Sequence, residues 1–130
     1  MIEWSEKYSV GNMMIDKQHQ QLFDVINELE HLIDDRSAEG NNRFHLVLHR
    51  LSEYARFHFE TEEHILMQIG YVDIIAHAKE HLEYREKICD VLYETLMGTE
   101  DRRKLYEYLV AWWCAHGTQR CHQEHLLRKT

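Results

Sequence analysis

Apolar residues recur at every third or fourth position through four successive segments of this 130-residue chain, and in none of them does the alternation of a strand fit as well. Leu22, Ile26, Leu29 and Ile33 share the first stripe. Phe44, Val47 or Leu48, Leu51, Tyr54 and Ile65 form the second, and Ile74, Tyr84, Ile88, Val91 and Thr95 the third. The fourth carries Leu105, Leu109 and Trp112. With no proline and only five glycines, almost nothing prevents long helices. The spacing predicts helices over about 16–35, 42–68, 72–97 and 100–116. Asp16 is the expected cap of the first, and Gly70 the expected stop of the second. Gly117 and Thr118 offer a break before the polar tail "QRCHQEHLLRKT". Residues 1–15 hold no sustained period and are expected to lie as an arm over the core. Four amphipathic helices with short connections specify an all-α, antiparallel up-down-up-down four-helix bundle, with residues 1–130 as one domain.

A net charge of −8 disfavours nucleic acid and anionic membranes as partners. The opening "MIEWSEKYSVGNMM" is too polar for a signal peptide, and no apolar run has the length to cross a bilayer. Cys89, Cys114 and Cys121 form no CxxC pair, and an odd count fits a reducing compartment, so the expected location is cytoplasmic. Cys89 and Cys114 read as ordinary core or surface thiols.

The anomaly is eleven histidines. Extending each stripe at helical spacing brings His19 into the first, His58 and Glu62 into the second, His77 and His81 into the third, and His116 into the fourth. His19 starts its helix, His58 and Glu62 end theirs, His77 and His81 start theirs, and His116 ends the last. In an up-down-up-down bundle those ends lie together. One inward histidine is more often a hydrogen-bonded core residue than a ligand. Burying five without partners would cost about 2 kcal/mol or more each, and coordination of a metal supplies the compensation. His45 and His49 lie on the opposite side of their helix, and His31 and His64 fall off their stripes. These four are expected to be solvated.

Five imidazoles and a carboxylate exceed what one tetrahedral zinc takes. Imidazole with carboxylate and no thiolate cluster suits paired iron or manganese, with Glu62 bridging. Three histidines on one metal and two on the other would leave an open position for a small molecule such as O2. Ile26, Phe59 and Trp112 would wall it apolarly.

The motifs "W…G…IDKQH", "HFETEE", "HAKEH" and "W..H" together, from Trp4 to about Cys121, resemble the hemerythrins in their bacterial form, the bacteriohemerythrins. The resemblance implies reversible O2 binding at two non-haem iron ions, oxo- or hydroxo-bridged. It implies that His77, His81 and His116 hold one iron, that His19 and His58 hold the other, and that Glu62 bridges them. The family's second bridging carboxylate, an Asp five residues after the last histidine, is Cys121 here. A Cys121 thiolate, His122 brought in by a bulge at Gly117, Glu124, or water or hydroxide could replace it. Two pocket positions also depart: Trp113 stands where the family usually has Leu, and Gly117 where it has Ile.

The expected function is therefore carriage, storage or sensing of O2 or another small diatomic ligand, a binding role rather than an enzymatic one. The alternative is a di-iron redox enzyme or sensor using peroxide, nitric oxide or thiol chemistry at a site modified by Cys121. A zinc or degenerate mononuclear site would make the chain a metal-holding protein instead. The chain is expected to be a monomer or weak homo-oligomer, with Trp113, Tyr106 and Tyr108 as candidates for an oligomer face.

Overall fold

Asn12, not Asp16, opens the first helix. Its side-chain oxygen accepts from the backbone N–H groups of Met14 and Ile15 at 3.1 and 3.2 Å, satisfying donors that a helix start cannot pair internally. Asp16 instead lies inside the first turn and accepts a hydrogen bond from Ser9 Oγ at 2.6 Å. The computed structural model describes residues 1–9 and 11–118, with side chains through residue 115. Its α-helices are α1 (Met13–Leu32), α2 (Ala38–Gln68), α3 (Ile74–Met97) and α4 (Arg102–Thr118), preceded by a 3-10 turn over Glu6–Tyr8. Among the described residues there is no strand, and none of these helices is long and apolar enough to cross a membrane.

Local side-chain chemistry explains where the boundaries differ from expectation. Asp35 stands outside α1 because its carboxylate accepts from both the backbone N–H and the hydroxyl of Ser37, at 3.1 and 2.6 Å. Ser37 Oγ in turn accepts from the Gly40 N–H at 3.0 Å, which starts α2 at Ala38 rather than residue 42. Gly70, just beyond α2, and Gly98, closing α3, have φ of 68° and 73°, the left-handed region that glycine enters without a side-chain clash. Asp101 caps α4, its carboxylate accepting from the Lys104 N–H at 3.0 Å. The expected break at Gly117 and Thr118 does not occur, since α4 runs through both. One helical glycine costs only about 1 kcal/mol.

α1 packs against α2 and α4, and α2 against α3. The α3–α4 seam is filled by aromatic rings, with Tyr84 at 4.9 Å from Trp112 and 5.3 Å from Trp113. Two inward assignments change. Tyr54 is 43% exposed, because a 31-residue helix carries its seam through Leu51, Ala55 and Phe59 at 3.6 residues per turn. On α4, Leu105 and Leu109 lead at i+4 to Trp113, which is 1% exposed, while Trp112 is half-buried. Trp113 is therefore core and offers no outer face to a second copy.

The segment before α1 packs on the bundle. Ile2 and Tyr8 are buried, the Ile2 N–H donates to Asn27 Oδ1 at 2.8 Å, and Asn27 Nδ2 donates to the Ile2 carbonyl at 2.7 Å. Trp4 and Tyr8 set their rings edgewise on Phe23 at 5.8 and 5.0 Å.

At the bundle end away from the histidines, Arg102 is 3% exposed. Its Nη1 donates to the carbonyls of Leu32 and Asp35 at 2.8 and 2.9 Å, its Nη2 donates to Asn41 Oδ1 at 2.6 Å, and its guanidinium sits 4.1 Å above the Phe44 ring. One side chain thus pairs carbonyls left over at the end of α1 and ties α4 to the α1–α2 connection. Arg102→Ala should destabilise the chain by about 2–4 kcal/mol, read by denaturant unfolding, because buried acceptors lose their donor.

Candidate metal centre

The bundle core is divided in two. The large apolar cluster runs from Leu22, Phe59 and Tyr84 down to the Arg102 end, while Ile15, Ile65 and Leu66, with Tyr71 and Ile74 partly buried against them, form a small separate one. Between the two lies a polar layer. His19 falls between Ile15 and Leu22 on α1, His58 and Glu62 between Ala55 and Leu66 on α2, and His77 and His81 between Ile74 and Tyr84 on α3. Each of the five is at most 2% exposed. By contrast His31, His45, His49 and His64 are all exposed.

Glu62 is the hub. One carboxylate oxygen, Oε1, contacts His77 Nε2 and lies 3.2 Å from His81 Nε2. The other, Oε2, lies 3.3 Å from His58 Nε2, and His58 Nε2 faces His19 Nε2 at 3.0 Å. Two buried trios result, His19–His58–Glu62 and Glu62–His77–His81, each with its potential ligand atoms within 4.8 Å of one another. They share a single residue, and it is the carboxylate.

Partners outside the layer orient two of the rings. The Thr61 hydroxyl donates to the Phe57 carbonyl at 2.9 Å, so its oxygen can accept from Gln18 Nε2 at 3.4 Å. That amide orientation puts Gln18 Oε1 2.8 Å from His58 Nδ1. A carbonyl oxygen only accepts, so His58 carries its proton on Nδ1, and in the neutral ring Nε2 turns a lone pair into the layer. Glu63 does the same on the other side, its carboxylate 2.7 Å from His81 Nδ1. Sequence patterning missed Gln18, Thr61 and Glu63. The available signal was that Gln18 and Glu63 directly adjoin His19 and Glu62.

Phe59 stacks on His81 at 3.9 Å and 8°. Trp113 stands 5.6 Å from the His58 ring and 6.1 Å from that of His19. Its indole N–H donates to Tyr84 Oη at 3.3 Å. Burial holds the Tyr84 phenol well above its usual pKa, an effect the Trp113 hydrogen bond only partly offsets, so Tyr84 stays neutral. Ile26 is fully buried in the large cluster. These contacts bring the end of α4 to the level of the layer, and the backbone of His116 is one turn further along. The His116 side chain, together with Cys121, His122 and Glu124, lies outside the described residues.

The donor set suits a metal centre. Four imidazoles surround one carboxylate, and more ring nitrogens point inward than a single buried negative charge can satisfy as imidazolium. The layer offers nitrogen and oxygen donors in two groups that share a carboxylate, a donor set suited to holding metal.

The sequence profile of the Hemerythrin HHE cation binding domain matches residues 10–119. The chain is 27% identical over 115 residues to the bacteriohemerythrin of Clostridium acetobutylicum, covering 86% of this chain and 89% of that protein. It is 24% identical over 119 residues to that of Stenotrophomonas maltophilia, covering 89% and 74%. A crystal structure of wild-type hemerythrin superposes with a TM-score of 0.89 at 20% identity, over 100% of this chain and 99% of the other, a likeness of fold. With residues 10–119 matched to its profile, the chain belongs to the hemerythrin family.

Proposed function

We propose that this protein binds O2 reversibly at a non-haem di-iron centre in the polar layer, for carriage, storage or sensing. Hemerythrins are typically oxygen-binding non-haem di-iron proteins. The observation that carries the reading is the division of Glu62, with one oxygen facing His77 and His81 and the other facing His58. In this reading His77, His81 and His116 hold one iron, His19 and His58 hold the other, and Glu62 spans them. When bound, a ferrous pair would supply the electrons that O2 binding borrows and O2 release returns.

The chain's own residues have separate tasks. Gln18 and Glu63 keep a proton on the outer nitrogen of His58 and His81 and so turn the lone pairs of the inner nitrogens into the layer. Phe59, Trp113 and Ile26, all buried, exclude water from the ligand side and slow the loss of a bound oxygen species. Trp113 fills more of that space than the family's usual Leu, which narrows the approach to His19 and His58.

The test is optical. Protein reduced with dithionite without air should gain near-ultraviolet and visible charge-transfer bands on exposure to O2 and lose them on deoxygenation. Irreversible bleaching, or no change, contradicts the reading. A redox enzyme or sensor is the second reading, favoured by Cys121 at the position of the family's bridging Asp. It predicts turnover of peroxide and a spectrum that Cys121→Asp shifts to the familiar form.

A further inference from the structure

Two partners of different charge hold the outer nitrogens of His58 and His81 in the histidine layer. His81 Nδ1 donates to a carboxylate, Glu63 Oε2 at 2.7 Å, whereas His58 Nδ1 donates to a neutral amide, Gln18 Oε1 at 2.8 Å. Both contacts are short, so the difference lies in charge. A carboxylate accepting from the far N–H pushes electron density into the ring and makes its inner nitrogen a stronger donor than an amide can. Gln18 is additionally anchored through Thr61 to the Phe57 carbonyl, which fixes it as an acceptor and prevents it from presenting its amide N–H groups to His58. Glu63 is one residue beyond the shared Glu62, so the helix that supplies the bridge also supplies the extra negative charge at His81.

We infer that Glu63 and Gln18 are positioning residues that widen the difference between the two halves of the centre beyond the one extra histidine of the first: the Glu62–His77–His81 half takes its metal first and more tightly, and the His19–His58 half second. This rests on the metal reading proposed above and adds an order of filling to it. The weaker half is also the one beside the buried Trp113.

The experiment is calorimetric titration of the full chain, stripped of metal, with Fe(II) under anaerobic conditions. Expected are two resolved steps, with Glu63→Gln weakening the tighter step about 10–100-fold and leaving the other within a factor of a few. Gln18→Glu should strengthen the weaker step and draw the two together. A gain of affinity is not what a merely structural role would produce, and helical circular dichroism on each variant excludes misfolding. Two equal steps in the unaltered chain, or two unequal ones that neither substitution moves, overturn the inference while sparing the metal reading. A chain that takes up no iron, or only one per molecule, overturns both.

Discussion

Glu62→Gln is expected to reduce the metal content from two ions per chain to one or fewer and to remove any charge-transfer band formed in air. Glutamine preserves the size of the side chain and its ability to accept hydrogen bonds, so the apolar clusters on either side should hold. What it removes is the only negative charge among the described residues that faces both trios. Each half would then lose its shared anionic ligand, and two cations would approach each other without the Glu62 carboxylate between them, a repulsion that a dry interior screens poorly. Metal analysis beside circular dichroism separates this result from simple unfolding. A variant that keeps two ions would mean that Glu62 is no bridge.

Stripping the metal should be almost as severe. Without it, His19, His58, His77, His81 and Glu62 would remain 2% exposed or less, with hydrogen bonds among themselves but with too many nitrogens for one carboxylate. Binding that favours the folded state adds about 4 kcal/mol when the free ligand stands at a thousand times its dissociation constant. For a domain of this size that corresponds to a fall of roughly 10 °C or more in Tm on chelation. The loss should concentrate where α1 and α3 begin and α2 ends, and hydrogen exchange should rise there before it rises around Arg102. Equal melting temperatures with and without chelator would place the metal, if any, outside the folded core.

Much of this was legible before any coordinates, for a definite reason. The 3.6-residue period fixes which side chains share a face, and the up-down order fixes which helix ends meet. His19, His58, Glu62, His77 and His81 could therefore be placed at one level from spacing alone. What spacing cannot resolve is a choice between neighbours. Asn12 and Asp16 are both good caps, and the hydrogen-bond geometry selected Asn12. Trp112 and Trp113 are adjacent aromatics, and the phase set by Leu105 and Leu109 selected Trp113. Tyr54 was lost because a small phase error grows along a long helix. Gln18, Thr61 and Glu63 stand beside the stripes, and their value depends on where a terminal amide or carboxylate points. Arg102 reads as a solvated first-turn arginine until the carbonyls of Leu32 and Asp35 are seen beneath it. Cys121, the most informative departure from the family's pattern, lies outside the described residues, and the choice among Cys121, His122, Glu124 and water in place of the family's Asp rests on the Cys121→Asp comparison.

In the proposed centre Glu62 stands between two metals. Anomalous diffraction at the iron edge from crystals grown iron-replete tests it most directly. Two peaks are predicted on opposite sides of the Glu62 carboxylate, one against His19 and His58 and the other against His77 and His81. No peak in that layer, or a single one touching only one side of Glu62, would contradict it.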